Sequence, residues 1–164
     1  MDLRPERVLE RARDLLRSAA YVHLATAGSR DVHVRQVQLL DVDDDLTTWF
    51  MTSPRSRKVA EMRVVGRATL ATDDAATFSA TAVSGSIEII DDPAQLTERW
   101  IDELGRFFPA GPTGGDCVLV RVEVDRAEVI DFAGGITPPP FGLVPAVVQR
   151  SGDRWEVVAA ERSE

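Results

Sequence analysis

Between Pro5 and Ser18 the apolar residues Val8, Ala12, Leu15 and Leu16 recur at helical spacing, with Arg7, Glu10, Arg11, Arg13, Asp14 and Arg17 on the remaining positions. The pattern predicts an amphipathic helix that begins with Pro5 in its first turn and carries its arginines on a solvated face. From Tyr21 the period changes to two. Tyr21 to Ala27 and Val32 to Val42 alternate on either side of the turn Ala27-Gly28-Ser29-Arg30-Asp31. In the second run Val32, Val34 and Gln36 share one face, and His33, Arg35, Val37 and Leu39 the other. Leu46 to Thr52 is β-branched and aromatic and follows the acidic turn Asp41 to Asp45. These three runs predict an antiparallel meander.

Ser53 and Pro54 end the third strand, and Ser56 is placed to cap a short helix through Arg63. Ala68 to Thr72 and Phe78 to Ile90 predict two more strands, joined by Asp73-Asp74-Ala75; Gly85 inside the longer one implies a bulge or a close backbone approach. Asp92-Pro93 opens a helix expected to reach Leu104, with Leu96, Trp100, Ile101 and Leu104 on its apolar side. After the loop from Phe107 to Gly115, Cys117 to Val124 and Ala127 to Phe132 read as a strand that bends or splits near Asp125. Gly134 to Pro145, with Pro138-Pro139-Pro140, predicts an extended linker, and Ala146 to Ala160 a hairpin turning at Ser151-Gly152-Asp153. The expected fold is mainly β: an antiparallel, closed or partly closed barrel with short helices.

Composition narrows the possible partners. A chain of 164 residues suits one domain with a sizeable core. A net charge of −8 argues against a nucleic-acid partner, which would need a broad basic face. No apolar run approaches the roughly 18 residues of a membrane span and no apolar leader opens the chain, so a cytoplasmic location without a membrane partner is expected. The acidic turn lacks the glycine and closing glutamate of an EF-hand, and Cys117 is the only cysteine, so no metal site is expected. Cys117 reads as a buried strand residue. His23 and His33 fall on strands, and no Ser-His-Asp order is present, so no catalytic side chain is assigned.

One corner does concentrate chemistry. Thr52, Ser53 and Ser56 bring hydroxyls, and Arg55, Arg57 and Lys58 bring cations, to a single strand-to-helix junction. Helix-terminal N–H groups, hydroxyls and cations converging in this way suit a phosphate. Lys58 is the only lysine of the chain.

Phe50-Met51-Thr52 followed by Ser56-Arg57-Lys58, with Arg35-Gln36-Val37 on the preceding strand, resembles the flavin site of the pyridoxamine 5′-phosphate oxidase-like split barrels. Phe108-Pro109-Ala110-Gly111-Pro112, the strand Val118 to Val122 and the ending Glu128-Val129-Ile130-Asp131 are most similar to the general stress protein 26 group. The resemblance spans residues 5 to 132. It implies a six-stranded split β-barrel over residues 1–132, with the linker and hairpin of 133–164 packed on the same domain. It also implies a homodimer with FMN at the interface, acting as an oxidoreductase on a small-molecule substrate that the sequence does not identify. Carried over, Arg35, Arg57 and Lys58 would hold the FMN phosphate with Ser56 in support. The backbone of Gln36, Val37 and Gln38 would line the isoalloxazine edge, and Met51 and Thr52 the ribityl chain. Thr81 stands where the oxidases have a flavin-contacting glutamine, and Trp100, Phe107 or Phe108 of a partner subunit would cover the ring. Leu40 replaces the oxidases' substrate lysine and their C-terminal Arg and Trp signature is missing, which argues against vitamin B6 oxidation. Val64-Val65-Gly66 stands in place of the group's Asn-Pro, and Ile130 in place of its tryptophan. Related barrels use the same basic corner for a deazaflavin, and a non-catalytic flavin-binding stress-response protein is the other alternative.

Overall fold

The computed structural model describes residues 3–137 and 144–159; the run Pro138-Pro139-Pro140 lies outside them. Among the described residues the chain orders as α1 (Pro5–Ser18), β1 (Val22–Ala27), β2 (Val32–Val37), β3 (Asp41–Val42), β4 (Thr48–Thr52), α2 (Arg57–Val65), β5 (Arg67–Asp74), β6 (Ser79–Ile90), α3 (Pro93–Glu98), a 3-10 helix (Asp102–Arg106), β7 (Val118–Asp131), β8 (Ala146–Ser151) and β9 (Arg154–Val158). The strands form one antiparallel sheet in the order β2-β1-β5-β6-β7-β4-β3, with β8 added to β7 and β9 to β8. The architecture is a mainly β split barrel: six principal strands, the two-residue β3 and the C-terminal hairpin.

The apolar stripe of α1 explains its place. Val8, Ala12, Leu15 and Leu16 are buried as their spacing requires, and Val8, Ala12 and Leu16 pack on Val22, Leu24, Phe50, Leu70, Val83 and Val120 in the main core. Its polar face is not simply solvated. Arg11 Nε lies 2.8 Å from Oδ2 of Asp131, whose side chain is 2% exposed, and Arg17 Nη2 donates to the Val42 carbonyl at 2.6 Å. Two arginines therefore fasten the helix to the barrel rim.

The expected three-strand meander does not form. β1 pairs with β2, but β4 pairs with β7 and with the short β3, and the run Val32 to Val42 is broken between Val37 and Asp41. Leu39 and Leu40 continue the apolar pattern across the break, yet the Leu40 N–H already bonds the Trp49 carbonyl on β4 at 2.7 Å. In crossing from β2 to β3 the chain passes from one end of the sheet order to the other. That crossing is where the barrel splits.

Gly85 behaves as its place in a strand suggests. Ser84 faces Arg126 and Gly85 faces Val124, leaving Asp125 as the extra residue of a bulge. A Cβ on Gly85 would collide with the Glu123 carbonyl. The strand Val118–Asp131 thus bends without splitting, and Arg67 clamps Asp125 with two 2.7 Å hydrogen bonds. The helix expected from Pro93 to Leu104 stops at Glu98, because Ile101 adopts an extended conformation (φ −123°, ψ 145°) before the 3-10 helix. That interruption lets Leu104 join a second core with Trp49, Met51 and Leu119, with Trp100 and Phe108 packed against it.

Candidate functional site: a cleft at the split

Three elements converge where the sheet opens. The end of β2 contributes Gln36 and Val37, with Gln38 just beyond it; β4 contributes Met51 and Thr52, with Ser53 following; α2 contributes Lys58. Tyr21 at the entrance to β1, together with Leu104, Phe107 and Phe108, completes the wall of a cleft of about 530 Å³. This is ample for a small molecule or nucleotide-sized cofactor. Phe107 and Tyr21 stand 60% and 56% exposed, so the mouth is bordered by aromatic surface. Among the described residues no carboxylate or imidazole lines the cleft, and Lys58 is the one cation that does.

The floor owes its shape to local sequence. Every residue of β4 is buried, which holds Met51 and Thr52 still. Pro54 ends the ladder, and Ser56, in extended conformation (φ −74°, ψ 148°), precedes the first turn of the nine-residue α2. Its hydroxyl makes no capping bond to the helix. The Oγ atom is buried and has no hydrogen-bond partner at all. A buried hydroxyl normally finds one, and its omission is costly unless a ligand supplies it. First-turn N–H groups, which have no acceptor inside a helix, are at the same end. α2 has no acidic residue in its first turn. The Lys58 pKa is lowered from 10.5, first by burial and then by the charge of Arg35.

Arg35 and Arg57 turn toward a different partner. Glu61, one helical turn beyond Arg57 and 10% exposed, takes the Thr26 hydroxyl at 2.5 Å and Arg35 Nη2 at 3.3 Å on one oxygen. Its other oxygen lies 2.6 Å from His33 Nδ1 and 3.6 Å from Arg57 Nε. Arg35 Nη1 is further bound to Thr26 Oγ1 at 2.5 Å and to the His33 carbonyl at 2.9 Å. Hydrogen bonding by Thr26 outweighs burial and, with His33 and Arg35, holds the Glu61 carboxyl below its ordinary 4.5.

Gln36, Val37, Gln38, Met51, Thr52 and Lys58 therefore share the cleft. Ser56 begins the helix that carries Lys58, and Arg35 and Arg57 sit on the Glu61 side of that helix. Two residues lie elsewhere. Thr81 donates to the Glu128 carbonyl at 2.9 Å and faces a hollow with His23 and Ile130, and Trp100 borders another with Leu40 and Arg99. Tyr21, Leu104 and Glu61 were not singled out from the sequence. The available signals were that Tyr21 is the only tyrosine and that Glu61 stands four residues after Arg57.

Comparison with known proteins agrees with this architecture. Residues 8–152 match the family model described as pyridoxamine 5′-phosphate oxidase like. A Clostridium acetobutylicum protein related to general stress protein 26 superposes with a TM-score of 0.71 at 21% identity, covering 80% of this chain and 92% of that one. A pyridoxamine 5′-phosphate oxidase-related, FMN binding protein of Nostoc punctiforme gives 0.65 at 16% identity over 95% and 96%. The general stress FMN/FAD binding protein of Xanthomonas citri gives 0.62 at 22% over 77% and 87%. No curated protein matches the chain. With the family match spanning most of its length, the chain belongs to the pyridoxamine 5′-phosphate oxidase-like family.

Proposed function

We propose that the cleft binds FMN, with the phosphate at the start of α2, and that the protein works as a flavin-dependent oxidoreductase in a homodimer. The observation that carries this reading is the buried, partnerless Ser56 hydroxyl at the N-terminus of the helix that bears Lys58. A phosphate oxygen supplies the partner that Ser56 lacks, and the dianion answers the local excess of charge. Arg35, Arg57 and Lys58 set against Glu61 leave two positive charges at the corner. Bound FMN would supply hydride and single-electron transfer.

The chain's own residues bind, orient and shield. Ser56 and Lys58 anchor the phosphate end, Met51 and Thr52 border the path into the cleft, and Gln36, Val37 and Gln38 flank its far wall along the end of β2. Phe107, Phe108 and Leu104 exclude water from one side. The exposed aromatic mouth suits a second subunit, whose surface closes the cleft. Among the described residues lining the cleft, Lys58 and Tyr21 carry the acidic protons, and no carboxylate or imidazole is present. Positioning and access are what the other lining residues contribute.

The test is a visible absorbance spectrum of the freshly purified protein, followed by titration with FMN and with a deazaflavin and by sedimentation of the complex. The proposal expects flavin bands or micromolar FMN binding, bleaching with a nicotinamide donor, and a dimer. Retention of the deazaflavin in preference to FMN transfers the site to that cofactor. Binding without reduction by any donor makes the protein a flavin-binding module, and binding of neither cofactor refutes the reading.

A further inference from the structure

Glu61 is not among the residues lining the cleft, yet it touches two arginines of the corner, Arg35 and Arg57, together with His33. It lies against Arg35 Nη2 at 3.3 Å, Arg57 Nε at 3.6 Å and His33 Nδ1 at 2.6 Å, with its side chain 10% exposed. Arg35 has most of its donors committed on this side, to Glu61, Thr26 and the carbonyls of His33 and Leu24. A carboxylate and a phosphate ask for the same thing from a guanidinium, namely a planar pair of N–H donors. One guanidinium edge cannot serve both in full.

We propose that Glu61 is an internal counter-ion that competes with a bound phosphate group for Arg35 and Arg57, and so sets how tightly the cleft holds a phosphate monoester. This rests on the reading that the phosphate lies at the start of α2. In the ligand-free protein Glu61 offsets one of the two arginine charges and holds both side chains without an added anion. When a phosphate enters beside Ser56 and Lys58, Arg57, the longest and most exposed of the contacts (side chain 68% exposed), is the first to be shared with it. His33 acts in the opposite sense. Its 2.6 Å bond occupies the same Glu61 oxygen that faces Arg57 and weakens the hold on that arginine.

Two substitutions therefore shift phosphate affinity in opposite directions. Glu61→Gln keeps the shape and an acceptor for Thr26 while removing the charge; FMN affinity should rise about tenfold, with riboflavin, which lacks the phosphate, unchanged. His33→Ala frees the carboxylate for Arg57, and FMN affinity should fall by a few-fold, again without an effect on riboflavin. Folding of each variant is checked by circular dichroism, and the His33 variant, on an edge strand, keeps the test alive should the Glu61 variant unfold. Inorganic phosphate is titrated alongside the flavins. Weaker or unchanged FMN binding in Glu61→Gln overturns the competition, making Glu61 a support for the arginines or a bystander. If neither protein binds a flavin, the functional reading fails, and the competition stands only if Glu61→Gln still tightens inorganic phosphate. No phosphate binding to either protein overturns both.

Discussion

Two buried polar groups sit at opposite ends of this barrel and could hardly be treated more differently. Asp131, 1% exposed at the end of β7, has each oxygen engaged: Oδ1 accepts from Ser79 Oγ at 3.0 Å and from the Gly134 N–H at 2.8 Å, and Oδ2 pairs with Arg11. Even its backbone is taken, the N–H by Thr137 Oγ1 and the carbonyl by the N–H groups of Ile136 and Thr137. At the start of α2, by contrast, Ser56 has a buried hydroxyl with nothing to bond, and Lys58 is partly desolvated beside another cation. Asp131 ties α1 and the segment after β7 to the sheet. At the start of α2, beside the cleft that Lys58 lines, the Ser56 hydroxyl is left unmet. Among the described residues Arg11 Nε (ion-paired with Asp131), Thr48 Oγ1 and Asp116 Oδ1 are also buried without a hydrogen-bond partner, so what sets the α2 corner apart is an unmet hydroxyl beside a partly desolvated cation.

The comparison can be broken by substitutions that should act on one end only. Asp131→Ala removes the carboxylate that Arg11, Ser79 and the Gly134 N–H share, and should cost about 3 kcal/mol of stability, read by urea unfolding, while leaving FMN affinity of the folded protein unchanged. Lys58→Met should do the reverse. It lowers FMN affinity by about 10- to 100-fold, the worth of one charge-assisted hydrogen bond, and leaves stability equal or slightly higher because a desolvated charge is gone. Ser56→Ala sharpens the point. A serine N-cap ordinarily contributes about 1 kcal/mol to a helix, but this hydroxyl makes no cap bond. The melting temperature should stay put while FMN affinity drops by a few-fold.

The smallest effect is on pH dependence. The folded Lys58 pKa lies below 10.5, so its protonated form is disfavoured by folding. Stability should then rise as pH passes up through the lowered value toward 10.5, whereas FMN affinity should fall over the same window and riboflavin affinity should not. Glu61 has the opposite limb: its contribution to stability is present above 4.5 and is lost as pH falls through its lower folded value. Calorimetric melting and flavin titration across the two windows read both.

Much of the fold was legible in the chain because local and tertiary demands agree. The stripe of α1 is buried where its spacing puts it, and Gly85 marks the bulge that Asp125 completes on the neighbouring strand. The break between Val37 and Asp41 was not legible. Leu39 and Leu40 suit a continued strand, and only the position of β4, paired with β7 rather than β2, makes the chain leave. The helix predicted through Leu104 fails for a similar reason, since helical spacing cannot reveal that Leu104 belongs to a separate core with Met51 and Leu119. At the cleft, the spacing of Thr52, Ser56 and Lys58 pointed to one corner. Glu61 escaped notice because a carboxylate four residues after an arginine looks like an ordinary exposed helix pair. Its burial, and its bonds to Thr26 and His33, exist only in three dimensions.

The central claim is that Lys58 lies against the phosphate of a bound flavin, and the sequence offers a direct way to ask. Lys58 is the only lysine, so an amine-specific reagent has one side chain to modify besides the N-terminal amine. Labelling is followed by mass spectrometry with no ligand, with saturating FMN and with saturating riboflavin. The account predicts that FMN protects Lys58 strongly and that riboflavin protects it far less. Equal labelling with and without FMN, in protein shown by its absorbance to be loaded, would contradict it.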